Sequence, residues 1–270
     1  MPSMKFSSVT ILGSTGSIGR QALDVLGLFR RELSVSALSC SGRRLPLFAE
    51  QIIQFRPSLV HVADPAKALE LPTLLPSDVR PRVLSGPEGL IEIAASAPAD
   101  VVLVATVGWT GLEPALAAIA AGRHIALANK EVLVCGGHLV TRAATTKQVL
   151  ILPVDSEHNA IYQCLEAAPS APIRRLILTC SGGAFRNSTA NEIAMAGPEQ
   201  TLKHPTWDMG SKITVDSATL LNKGFEVIEA HHLFPDLPDA GPPLPTWQFA
   251  MRECQRQLLT DALEATGGSI

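Results

Sequence analysis

Between residues 9 and 129 short β-branched runs alternate with longer helical stretches, and a glycine-rich turn, GSTGSIG (13–19), follows the first run directly. No other feature narrows the fold as far, because such alternation demands βαβ units, a parallel sheet and helices on its faces. VTIL (9–12), SVSAL (34–38), LVHV (59–62), DVVLVATVG (100–108) and HIALAN (124–129) are expected strands; 18–29, 45–55 and 112–121 are expected helices. DVVLVATVG is apolar on both faces, as a central parallel strand is. The expectation is an α/β fold with a doubly wound, Rossmann-like domain over residues 1–150.

A second region, 151–234, is expected to be an α/β catalytic domain, apparently incomplete, opened by the strand VLILPV (149–154). It holds a helix around 158–167, a strand RLILT (175–179) and the densest polar motifs. The remainder, 235–270, is read as a proline-rich linker followed by a short amphipathic helix over 249–265; five prolines fall within 234–247. The 270 residues suffice for two domains.

Lysine and arginine total 22 against 25 aspartates and glutamates, a net charge of −3, with no basic run longer than two residues. Nucleic acid is therefore not an expected partner. The longest strongly apolar stretch, Val101 to Leu112, is shorter than the ~20 residues of a membrane span, so no membrane partner is expected. The first strand begins too early to leave room for a signal peptide, and the five cysteines show neither pairing nor metal-site spacing. A cytoplasmic protein is expected.

In the first turn, Gly13, Gly16 and Gly19 suit a tight bend, close backbone approach and helix–strand packing, with amides facing a pyrophosphate. An NAD site usually places an acid at the end of the second strand for the ribose 2′-hydroxyl. SALSCSGRR (36–44) has none, and Ser41, Gly42, Arg43 and Arg44 suit a 2′-phosphate, favouring NADPH over NADH.

In VDSEHNA (154–160), Asp155 and Glu157 stand where a strand gives way to a helix, with Ser156 equally suited to capping that helix. Glu226 would complete an oxygen-rich set for Mg²⁺ or Mn²⁺. Lys130, Ser181 with Gly182 and Gly183, Ser217, Asn222 and Lys223 suit a phosphate. HPTWDMG (204–210) reads either as a surface turn or as a lid in which Trp207 and Met209 exclude water and His204 donates to phosphate.

GSTGSIG (13–19), ALANKE (126–131), PVDSEHNAIYQ (153–163), SGGAFR (181–186), KHPTWDMG (203–210) and KITVDSATLLNKGFEVIEAHHLF (212–234) together resemble the 1-deoxy-D-xylulose 5-phosphate reductoisomerase family. The resemblance implies cofactor contacts at Thr15, Gly16, Ser17, Ile18, Gly42, Arg43, Arg44, Asn129, Glu131 and Gly210. It implies metal ligation by Asp155, Glu157 and Glu226, and substrate contacts at Lys130, Ser156, Glu157, Ser181, His204, Ser217, Asn222, Lys223 and Glu226. Lys130, Glu157 and Glu226 are the implied catalytic residues.

The implied reaction rearranges a small phosphorylated sugar, 1-deoxy-D-xylulose 5-phosphate. It then reduces the product with NADPH to 2-C-methyl-D-erythritol 4-phosphate, a step of non-mevalonate isoprenoid synthesis. Past Phe234 the family's later motifs are not recognisable, so the chain reads as a C-terminally shortened member. An active enzyme and a non-catalytic NADPH-binding remnant both stay open, as does the homodimer typical of the family. Another NADPH-dependent reductase is disfavoured, since it leaves the three carboxylates unexplained.

Overall fold

The computed structural model describes residues 6–167, 173 and 176–235. The chain divides into two compact units, one of residues 1–132 and 136–155, the other of residues 133–135 and 156–270. The linker and terminal helix expected over 235–270 lie, beyond Pro235, outside the described residues.

The first unit contains β1 (Ser8–Leu12), α1 (Ser17–Leu28), β2 (Ser34–Cys40), α2 (Leu45–Phe55), β3 (Leu59–Val62) and α3 (Pro65–Glu70). It continues with β4 (Arg82–Ser85), α4 (Gly86–Ser96), β5 (Val101–Val104), α5 (Leu112–Ala120), β6 (His124–Leu127), α6 (Glu131–Lys147) and β7 (Ile151–Pro153). The strands form one sheet in the order β4-β3-β2-β1-β5-β6-β7, and every pairing is parallel. Chain direction across the sheet reverses at β1, which lies between β2 and β5. The carboxyl ends of those strands frame the crevice where such folds bind ligands.

The doubly wound expectation is therefore met. Leu23 and Leu26 of α1 and Leu45, Phe48, Ala49 and Ile52 of α2 join Ile11, Leu38, Val60 and Leu103 in one core cluster. Helices α4 and α5 pack against each other and against strands of the same sheet. Local chemistry sets the ends: Pro46 opens α2 and left-handed Arg56 closes it, while the Asp64 carboxylate accepts from the Ala66 and Lys67 N–H groups to start α3. The segment 149–154, read as opening the second region, supplies the last strand of this sheet.

Three expectations need correction. The strand expected over 100–108 ends at Val104, because Gly108 turns at φ 71° into a short 3-10 turn, Gly108–Gly111. HIALAN likewise leaves the ladder after Leu127. Of RLILT, residues 176–179 are described and belong to no strand, and Ile177 is exposed. A strand exists only where a neighbour takes its backbone groups, and the described residues of the second unit include no strand.

That second unit is built from α7 (Ser156–Ala167), α8 (Ala190–Ala194), α9 (Pro198–Thr201), α10 (Ser211–Ala218) and α11 (Leu221–Leu233). Val134 packs with Phe225 and Ile228 of α11. Among the described residues no helix is long and apolar enough to cross a membrane.

One buried polar group gives the first unit a pH dependence. His61, on β3, is 1% exposed; its Nε2 donates to the Gly86 carbonyl at 2.8 Å, while Nδ1 has no hydrogen-bond partner among the described residues. Burial holds its pKa below 6.5, and the bond to Gly86 offsets only part of that effect. The unfolded chain then takes up a proton that the folded one refuses, so stability present above about pH 6.5 should decline as pH falls below it. For one proton the slope is at most about 1.4 kcal/mol per pH unit. Urea unfolding of the protein and of His61→Gln between pH 5 and 8 checks this: the variant should lose that part of the slope.

Candidate active site

The glycine turn lies between β1 and α1. Gly13 adopts φ 91°, and a Cβ there would meet the Ala105 carbonyl oxygen at 2.6 Å. A Cβ on Gly19 would meet the Gly13 carbonyl oxygen at 2.3 Å and the Ser14 Cα at 2.6 Å. Only glycine allows three backbone segments to meet this closely. Gly16 is the N-cap of α1 and brings no side-chain bond to the helix start, so the first amides after it are left for an anion. Thr15 is buried, whereas Ser17 and Ile18 are exposed on the first turn of α1.

At the end of β2, Gly42 turns at φ 92° against Val62 and Lys67, and Arg43 and Arg44 stand exposed immediately before α2. Asn129, 2% exposed, follows β6. Its Nδ2 donates to the Thr106 and Gly108 carbonyls, each at 2.8 Å, while Oδ1 is buried with no hydrogen-bond partner among the described residues. A buried amide oxygen is costly to leave in this way, so it marks a place for a donor from a ligand. Glu131, also buried, begins α6. Lys130 Nζ meets Asp155 Oδ2 at 2.6 Å, with side chains 9% and 11% exposed.

In the second unit, Glu157 on α7 and Glu226 on α11 bring carboxylate oxygens within 4.8 Å of each other. The Lys223 ammonium bridges them, at 3.1 Å from Glu157 Oε1 and in contact with Glu226 Oε2. Asn222 Nδ2 donates to Glu226 Oε1 at 2.6 Å, and Ser156 Oγ donates to Glu157 Oε2 at 2.6 Å. Burial alone would lower the Lys223 pKa, but its bonds to Glu226 and Glu157 outweigh that and hold it above 10.5. Glu226 is 1% exposed. A buried carboxylate with a second one close by needs a cation between them, and hard oxygen donors fit a divalent ion.

The remaining predicted residues of this unit gather around Ser181. His204 Nδ1 accepts from the Thr206 and Trp207 N–H groups at 3.2 and 2.9 Å, so the ring proton sits on Nε2 and is donated to Ser181 Oγ at 3.0 Å. The Gly183 N–H donates to the same oxygen at 3.2 Å. With both lone pairs engaged, the Ser181 hydroxyl has only its proton to offer, which suits an anion.

Gly183, at φ 67°, lies so close to α10 that a Cβ would meet the Ser217 carbonyl oxygen at 2.2 Å. Ser217 lies in the last turn of α10, and Leu220 turns the chain at φ 60° into α11, where Asn222 and Lys223 follow. A left-handed leucine is uncommon and marks a corner held by its surroundings. Gly210 is the N-cap of α10 in this unit, with open space beside it. Trp207 is 63% exposed, so the described residues of its unit do not cover it in the manner of a closed lid.

Two buried residues escaped the sequence reading. His158 and Glu229 are both 0% exposed; His158 Nε2 donates to the Glu226 carbonyl at 2.9 Å, and Nδ1 lies 3.4 Å from Glu229 Oε2. The available signal was their position, one residue after Glu157 and three after Glu226.

Comparison with known proteins follows these features along the chain. A sequence profile described as 1-deoxy-D-xylulose 5-phosphate reductoisomerase matches residues 9–137, and one for the C-terminal domain of the same enzyme matches residues 151–234. The chain is 52% identical over 231 residues to the reductoisomerase of Chlorobaculum tepidum, covering 86% of the chain and 60% of that protein. It is 47% identical over 228 residues to that of Acaryochloris marina, covering 84% and 57%.

Among solved structures, a DOX-P reductoisomerase in complex with NADPH, fosmidomycin and magnesium matches with TM-score 0.78 and 40% identity, over 85% of this chain and 58% of that one. The Zymomonas mobilis enzyme in complex with NADPH matches with TM-score 0.77 and 39% identity, over 86% and 59%. The chain thus spans about 57–60% of the length of the curated relatives it matches.

Proposed function

Because the chain belongs to the 1-deoxy-D-xylulose 5-phosphate reductoisomerase family, we propose that it binds NADPH, a divalent cation (Mg²⁺ or Mn²⁺) and 1-deoxy-D-xylulose 5-phosphate. In that reading it converts the sugar phosphate to 2-C-methyl-D-erythritol 4-phosphate. The observation that carries it is the convergence of Glu157, partly buried on α7, and Glu226, buried on α11, around the Lys223 ammonium.

Thr15, Gly16, Ser17 and Ile18 would hold the cofactor pyrophosphate, Gly42, Arg43 and Arg44 its 2′-phosphate, and Asn129, Glu131 and Gly210 would add further contacts. Bound NADPH supplies the hydride. Glu157 and Glu226 would hold the metal together with Asp155, two residues ahead of Glu157; the metal polarises the substrate's oxygens as a Lewis acid.

The chain's own groups position the sugar. Ser181 donates its hydroxyl proton to the phosphate, with His204 and the Gly183 amide fixing its direction. Lys223 and Asn222 bring a charge and an amide, and Ser217 a further hydroxyl. Lys130 offers its ammonium, held by Asp155, to a substrate oxygen. Ser156, bonded to Glu157, orients that carboxylate, and Glu157 and Glu226 would handle protons at the substrate's hydroxyls. A cytoplasmic location and a homodimer belong to the same proposal.

Purified protein with Mg²⁺, NADPH and the sugar phosphate, followed by NADPH absorbance, tests it: substrate-dependent oxidation is expected. NADPH binding without oxidation would overturn the catalytic part of this reading and leave a cofactor-binding chain without turnover. For the 2′-phosphate site, Arg43→Ala with Arg44→Ala should weaken NADPH by roughly tenfold to a hundredfold, the worth of one or two charge-assisted bonds, and leave NADH little changed. An unchanged ratio of the two dissociation constants would remove the assignment.

A further inference from the structure

We propose that Gln51 is a positioning residue for cofactor choice: its side-chain amide fixes the spacing between the turn that takes the pyrophosphate and the helix start that carries the 2′-phosphate arginines. The inference rests on the NADPH reading above and adds a residue to it.

Ser14 is the second residue of the glycine turn and is 0% exposed; Gln51 lies on α2 and is 6% exposed. They bond reciprocally. Ser14 Oγ donates to Gln51 Oε1 at 2.8 Å, and Gln51 Nε2 donates to the Ser14 carbonyl at 3.0 Å. The neighbours of Gln51 on α2, Phe48, Ala49 and Ile52, are all core residues, so an apolar side chain would serve packing as well.

Burying an amide among them is costly unless both its ends are bonded, and Ser14 supplies both bonds. The Ser14 and Gly13 N–H groups also donate to the Ser39 carbonyl of β2, at 2.8 and 3.2 Å, so the turn is held to β2 and α2 together.

The other end of α2 carries the second anchor. The Phe48 N–H donates to the Arg44 carbonyl at 3.0 Å, so the Arg44 backbone moves with the helix, and Arg43 precedes it. NADPH engages both anchors at once, and a fixed spacing lets the second contact form without a new ordering cost. NADH has no phosphate for the second anchor, so loosening the spacing should cost NADPH more than NADH. A residue serving packing alone would weaken both cofactors equally or change only the melting temperature.

The test is the pair of dissociation constants for NADPH and NADH, read by nicotinamide fluorescence on the full chain, with melting temperature measured alongside. Gln51→Met, which keeps the volume and removes both bonds, should weaken NADPH about tenfold and NADH less than twofold. Ser14→Ala keeps the Gln51 Nε2 bond and should give an intermediate fall, about threefold; it serves if Gln51→Met does not fold.

In the Arg43→Ala, Arg44→Ala background the Gln51→Met change should no longer alter the ratio, since one anchor is already gone. A ratio equal to that of the unaltered protein in a folded variant overturns the inference alone. An unaltered protein that binds NADH as tightly as NADPH overturns the 2′-phosphate reading and the inference with it.

Discussion

Exchanging Glu226 for glutamine is expected to weaken Mg²⁺ or Mn²⁺ binding by about a hundredfold or more while NADPH affinity stays within twofold. The reason is charge rather than shape. Glutamine fills the same space, 1% exposed, but offers a hard cation a neutral amide oxygen in place of a carboxylate. Lys223 keeps Glu157 at 3.1 Å, and His158 bonds the Glu226 backbone carbonyl, which the substitution leaves in place. Helix α11 should therefore hold its position. Calorimetric titration with the metal, beside NADPH fluorescence, separates the outcomes: lost NADPH binding or unchanged metal affinity would show that Glu226 is structural.

Alanine at Gly19 should destabilise the protein by about 3 kcal/mol and reduce NADPH affinity more than tenfold. Its Cβ would lie 2.3 Å from the Gly13 oxygen and 2.6 and 2.8 Å from the Ser14 Cα and carbonyl carbon. All three are backbone atoms, so no side chain can swing aside; α1 must move off the turn, taking its first amides with it. Gly27, on the same helix, has nothing within 4 Å of an added Cβ, so Gly27→Ala is the matched control. Urea midpoints and NADPH titration of both variants check the contrast. Equal stability of the two would mean that α1 yields more easily than its contacts imply.

The sequence was most legible where one short segment decides its own structure. LVHV became β3 and residues 45–55 became α2 at the expected limits, because a run dominated by Leu59, Val60 and Val62 and a proline-opened amphipathic run are local signals. The residues 64–96 were less legible. The segment holding α3, β4 and α4 has a four-residue edge strand with two exposed positions, too weak a pattern to register alone.

RLILT misled for the opposite reason. Its apolar run is strand-like, but strand formation is decided by a partner, and none lies among the described residues of that unit. In the candidate site, the motifs located Glu157, Glu226 and the residues around Ser181. They did not locate His158 with Glu229, or Ser14 with Gln51, since a buried polar pair appears only when the packing brings its members together.

The place of β1 in the sheet bears on how the chain must fold during synthesis. One neighbour, β2, follows soon after, but the other, β5, pairs Val9 with Val101. Asp100 secures that distant pairing by accepting from the Ser7 and Ser8 N–H groups at 2.7 and 3.0 Å and from their hydroxyls at 2.9 Å. β1 therefore waits with one edge open until residue 104 has emerged from the ribosome. The far edge strand β7 waits for Pro153. Long-range pairing of this kind is slow and leaves apolar edges exposed, so the nascent chain should depend on chaperones most between those two points of elongation.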